Sequence, residues 1–134
     1  MRNKPSLTAA DAKKMMAACL AEAQKQNWKV TIAIVDDAGY PLLVERMDGC
    51  GPISAEVAMG KARASAVTRR PTKFWEDRIK ERPAFMTFPS EGQMFQGGLP
   101  LMHQGECVGA IGVSGVQSHE DEQIAQAGVG ALGA

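Results

Sequence analysis

The sequence predicts an α+β domain, with helices grouped around a mainly antiparallel sheet. Three observations carry this. The elements run in the order α-β-β-α-α-loop-β-β-α. The strands come in two consecutive pairs, within "KVTIAIVDDAGYPLLVERM" and "GGLPLMHQGECVGAIGVSG". The first strand is apolar or small at both parities, which marks a strand covered on both faces. Strand pairs separated by helices assemble as layers around one core. The 134 residues suit a single domain, residues 1–134, and contain no periodic repeat or linker-like stretch.

The first helix is expected from about Thr8 to about Gln26. Thr8 followed by Asp11 resembles a capping box, and Met15, Met16, Cys19, Leu20 and Ala23 recur at helical spacing. Val30, Ile32 and Ile34 alternate with Thr31, Ala33 and Val35 in the first strand, "DDAG" turns the chain, and "YPLLVERM" returns as the second strand. "DGCGP" breaks the pattern, and Ser54 is the expected cap of a second helix. That helix carries a stripe of small residues, Ala55, Ala58, Ala62 and Ala66, which suits close approach to a sheet or another helix. A shorter helix starts at Thr72 and stops at Pro83. "PAFMTFPSEGQMFQ" has no clean period and reads as an ordered loop with room for one short strand. The glycine-rich hairpin follows, with its turn at Gln104–Gly105, and Ser118 with Asp121 resembles a second capping box opening a helix through Leu132.

Composition excludes several functions. Fifteen basic residues balance fifteen acidic ones, so no electrostatic footprint for nucleic acid or an anionic membrane is present. No run approaches transmembrane length, and the N-terminal stretch lacks an apolar signal core, so a cytoplasmic location is expected. Three cysteines, Cys19, Cys50 and Cys107, lie far apart without a CxxC pair, which argues against a disulfide framework or a structural zinc.

The blocks "VDDAGYPLLVERMDG", "AMGKARAS", "GGLPL" and "VGAIGVSG" followed by "DEQIA" resemble the GlcG/HbpS family, the haem-degrading domain family. The C-terminal domain of PduO-type cobalamin adenosyltransferases belongs to it. The blocks fall in family order from Leu7 to Leu132. The resemblance implies a profilin-like layered sandwich with a sheet of about five antiparallel strands. It also implies homo-oligomers built from dimers, haem binding in several relatives, and a place in small-molecule catabolic operons for others. It assigns no haem ligand to a position of this chain.

The glycine hairpin raises the question of what its six glycines make room for. Val108, Ala110, Gly112 and Ser114 alternate with Cys107, Gly109, Ile111 and Val113, which suits a helix on one face and a hollow on the other. Gly97 and Gly98 can aim backbone N–H groups at an anion, giving a candidate ligand site at Gly97, Gly98 and Leu99; the alternative is turn formation, twist and subunit packing. Arg46 is a candidate for gripping a carboxylate, with Glu45 and Asp48 as candidate catalytic acids or bases, against an ordinary Asp-Gly turn. Lys61, in the small-residue stripe, either faces a cleft as a ligand or catalytic group or snorkels to solvent. His103 and His119 are the candidate haem axial donors, His103 preferred because it sits on the hairpin. The "HEDE" cluster reads more simply as a helix start than as a metal site, and no other metal set appears. Cys50 is the cysteine placed in an open loop, whereas Cys19 and Cys107 fit the core. The leading reading is a small-ligand- or haem-binding homo-oligomer. The alternative is a lyase or isomerase acting on a small carboxylate, aromatic ones included, so the sequence leaves catalysis open.

Overall fold

The computed structural model describes residues 1–88 and 92–133. Helix α1 (Ala9–Lys25) leads into the hairpin of β1 (Thr31–Asp36) and β2 (Pro41–Arg46). Helices α2 (Ile53–Thr68) and α3 (Thr72–Glu81) follow, then a 3₁₀ turn (Pro83–Thr87), the hairpin of β3 (Gly98–His103) and β4 (Glu106–Ser114), and helix α4 (Ser118–Leu132). The strands form one antiparallel sheet in the order β2-β1-β4-β3. The described residues thus hold four strands, not the expected five. The stretch expected to carry a further strand contains the 3₁₀ turn, and its Pro89, Ser90 and Glu91 lie outside the described residues. Proline at the start of that turn has no N–H to give a ladder, which favours the tight turn over a strand.

The two central strands are covered on both faces. Met15, Met16 and Cys19 of α1 and Ile124 and Ala125 of α4 pack with Ile32, Ile34, Ile111 and Val113. On the opposite face Ala58, Ala62 and Ala66 of α2 pack with Ala33, Val35 and Ala110. The alanine stripe therefore serves the inside of the fold. A side chain at Gly112 would put its Cβ 2.1 Å from the Ala58 carbonyl oxygen and 2.4 Å from the Ala62 nitrogen, so β4 needs glycine where α2 lies against it. The edge strands behave as edges should: β2 is largely exposed, and β3 carries Pro100 in its interior.

Local chemistry explains the element ends. Thr8 and Asp11 form the expected capping box, with Thr8 N–H donating to Asp11 at 2.8 Å and Asp11 N–H to the Thr8 hydroxyl at 3.1 Å. The Asp36 carboxylate accepts the Ala38 and Tyr40 N–H groups, each at 2.9 Å, and holds the first hairpin turn. Two expected caps differ. Ser54 lies inside α2, where its hydroxyl donates to the Gly51 carbonyl at 2.5 Å and meets the Thr31 hydroxyl at 2.7 Å. The capping box of α4 is formed by Gln117 and Glu120, one residue earlier than Ser118 and Asp121. Asp121 is thereby left for another use.

The alternation expected for the second hairpin also changes. The β3–β4 register slips between Leu101, paired with Gly109, and Met102, paired with Cys107. Val108 is the extra residue of this bulge and joins Ile111 and Val113 in the core beneath α1 and α4. Cys107 turns to the α2 side, its thiol 3.9 Å from the Ala66 carbonyl. Met15, Cys19 and Ile124 fill the core against Ile111 and Val113 on that face.

Candidate functional site

Lys61 is 1% exposed in the middle of α2. Its helix faces a sheet, so its long side chain has apolar neighbours and must find partners for the ammonium. It finds them where β3 begins and β4 ends. Gly97, at φ +134°, turns the chain into β3, and its carbonyl accepts the Val113 N–H at 3.0 Å. The Val113 carbonyl accepts from Lys61 Nζ at 2.9 Å, so the ammonium serves as a donor beyond the last strand pair. Nζ also donates to Asp121 Oδ2 at 3.0 Å and lies 4.6 Å from the centroid of the Phe95 ring. A Cβ on Gly97 would lie 2.6 Å from Nζ, which is why the chain has glycine here.

Asp121, 2% exposed in the first turn of α4, is held by the Val116 N–H on Oδ1 at 3.1 Å. This ion pair ties α2 and α4, which cover opposite faces, together around the start of β3. Burial pulls each partner toward its neutral form, Lys61 down and Asp121 up, and the opposite charge beside it resists in both cases. Sequence reasoning singled out Lys61 but assigned Asp121 to a helix start. A buried lysine demands a counter-charge, and nothing in the spacing of the fifteen acidic residues says which one arrives.

Gly98 and Leu99 are buried beside this pair. The Gly98 N–H donates to the Thr72 hydroxyl at 2.9 Å, so it is already bonded. Leu99 is 8% exposed and belongs to the core. Arg46, Glu45 and Asp48 come together elsewhere, around a cleft of about 290 Å³ shared with Leu20, Gln24 and Lys29, and all three are exposed. The structure therefore gathers the candidate residues into two separate groups, one buried and one open.

His103 is exposed near the hairpin turn and lines a cleft of about 190 Å³ with Pro5, Leu7, Val108 and Leu132 as apolar walls. Asp11 also borders it, its carboxyl held low chiefly by the hydrogen bonds from Thr8, with Lys14 and His103 adding smaller attractions. The bulge at Val108 helps shape this wall, which the sequence pattern did not reveal. His119 is exposed on the first turn of α4. Among the described residues no three His, Cys, Asp or Glu side chains gather as a metal site. Cys50 is half-buried with its thiol 3.0 Å from the Ser54 hydroxyl, bordering a cleft of about 380 Å³ with Trp28, Ser114 and Gly115. Cys19 and Cys107 are buried, and burial pushes the Cys19 thiol up to about 12. Among the described residues no helix is long and apolar enough to cross a membrane.

Comparison with known proteins adds the family. A model described as "Haem degrading protein HbpS-like" matches residues 7–130. Protein GlcG of Escherichia coli K12 is 43% identical over 115 residues, 85% of each chain. The crystal structure of a double mutant of Streptomyces reticuli HbpS superposes with a TM-score of 0.92 at 33% identity, covering 100% of this chain and 92% of that one. A PduOC:haem complex superposes with a TM-score of 0.87 at 25% identity, covering 95% of each chain. The match along nearly the whole length, at the level of both sequence and fold, means that this chain belongs to the HbpS-like family.

Proposed function

We propose that this protein binds haem, with His103 as the axial donor. The observation that carries the reading is the position of His103: an exposed imidazole beside an apolar wall of Leu7, Val108 and Leu132. The residues fit the group in kind, since a haem needs an axial donor and apolar surface for its ring. They fit it as an open site. A cleft of about 190 Å³ is smaller than the roughly 300–1,000 Å³ of enclosing ligand sites, so the ring would remain partly in solvent. Bound haem would supply an iron centre, while the protein would supply the imidazole, the apolar wall and the nearby charge of Lys14 and Asp11. The haem complex of the PduOC domain, which shares this fold, supports the reading by likeness.

We further propose a homo-oligomer built from dimers. The support is the exposed edge strand β2, where Leu42 and Val44 are each 40% exposed beside an unpaired ladder edge, which suits antiparallel pairing with a second copy. Sedimentation of a concentration-independent monomer would remove this part of the proposal. The lyase or isomerase reading has less support, because Lys61 is spent on Val113 and Asp121 and lies apart from Glu45 and Asp48.

The test is a haemin titration of wild type, His103→Ala and His119→Ala, followed by the Soret band. The expected result is a shifted band in wild type and His119→Ala that is lost in His103→Ala. Identical bound spectra in all three would remove both histidines as ligands, and a free-haemin spectrum for wild type would overturn haem binding itself.

A further inference from the structure

The richest aromatic cluster of the described chain lies away from His103, where α3 meets the 3₁₀ turn. Trp75 lies 4.7 Å from Phe88 and 5.7 Å from Phe85, both in tilted contact, with Phe74 edge-on at 5.0 Å. Beside these rings opens a cleft of about 280 Å³, lined by Arg82, Ala84, Phe85, Thr87 and Phe88. Three features set this elbow apart from ordinary packing. The Trp75 indole, which packs behind Phe85 and Phe88 without lining the cleft itself, is 9% exposed, and its Nε1–H has no acceptor among the described residues, a condition that native proteins rarely leave unanswered. The Arg82 guanidinium lies 5.3 Å over the Phe85 ring, exposed, with no carboxylate partner among the described residues. Positive charge surrounds the cluster: Arg70 and Arg78 lie 4.3 and 5.1 Å over Phe74, and Glu81, the acid on the last turn of α3, is taken by Arg78 at 3.5 Å.

We infer that this elbow binds a small aromatic carboxylate. Its ring lies against Phe85 and Phe88, which line the cleft. Its carboxylate takes the fork of donors on Arg82, a pairing suited to bidentate geometry. The lining holds no imidazole or thioether, so this is not a second haem site. The cleft is near the lower end of ligand-site volumes, which fits a single-ring acid and not a larger cofactor. The inference does not rest on haem binding at His103.

Benzoate is the probe. The chain has two tryptophans, Trp28 and Trp75, and Trp28→Phe leaves Trp75 as the sole reporter in the cluster. Benzoate is expected to change Trp75 emission saturably, and neutral benzamide to do so much more weakly. Arg82→Gln, at an exposed position, should weaken benzoate by about tenfold or more, with circular dichroism unchanged. Equilibrium dialysis of the otherwise unaltered protein and of Arg82→Gln repeats the comparison without the Trp28 substitution. No saturable binding by either method, equal affinity for benzoate and benzamide, or equal benzoate affinity in Arg82→Gln would each overturn the inference.

Discussion

Replacing Asp121 by alanine leaves the Lys61 ammonium buried without its counter-charge. The geometry sets the scale. Both side chains are nearly inaccessible, the pair is 3.0 Å apart, and the second oxygen of Asp121 holds the Val116 N–H. Breaking a buried pair by removing one partner costs about 3–5 kcal/mol. That is a large share of a typical total of about 5–15 kcal/mol. With a urea m-value of about 2 kcal/mol/M, the unfolding midpoint should fall by about 2 M. Dependence on pH then separates the partners. In Lys61→Met the carboxyl of Asp121 stays buried, and burial raises its pKa above the ordinary 3.8. The folded form then holds a proton that the unfolded form has released, so stability should fall as pH rises from about 4 through the raised value. In Asp121→Ala the buried Lys61 has its pKa lowered from 10.5. The unfolded form then holds the extra proton, so stability should rise as pH climbs from the lowered value toward about 10.5. Urea titrations across pH, with fluorescence as the probe, read both slopes. A loss below about 1 kcal/mol in Asp121→Ala, the range of exposed pairs, would mean that water reaches the ammonium and would refute the buried-pair account.

Gly112→Ala should destabilise the fold by about 1–3 kcal/mol or more, because the added Cβ meets α2 backbone that cannot rotate away; thermal unfolding checks this, and an unchanged melting temperature would mean that α2 sits further from β4. Thiol labelling of the native protein should modify Cys50 well before Cys19 and Cys107, since Cys50 alone of the three is not buried; equal rates for all three would contradict the packing of α1 and β4.

Much of the architecture was legible from the chain alone, because it rests on local rules. The Thr8–Asp11 box, the two-sided apolar pattern of β1 and the turns at "DDAG" and Gln104–Gly105 are each decided by neighbouring residues, and the resemblance carried by the sequence blocks pointed to the family that the comparisons establish. Gly112 and the alanines of α2 announced close packing without saying against what. Tertiary structure decided that they meet each other inside the fold, so the alanine stripe says nothing about subunit contacts. It also decided the bulge at Val108, where register between two strands overrides strict alternation and turns Cys107 to the other face. Above all it decided the fate of Lys61. A lysine among alanines is compatible with a cleft, a surface or a core until the helix is docked. Only docking brings Asp121, sixty residues away, and the free carbonyl of Val113 to its ammonium. Long-range charge pairing leaves no periodic trace in a sequence, because either partner can be supplied by any element that folding happens to bring near.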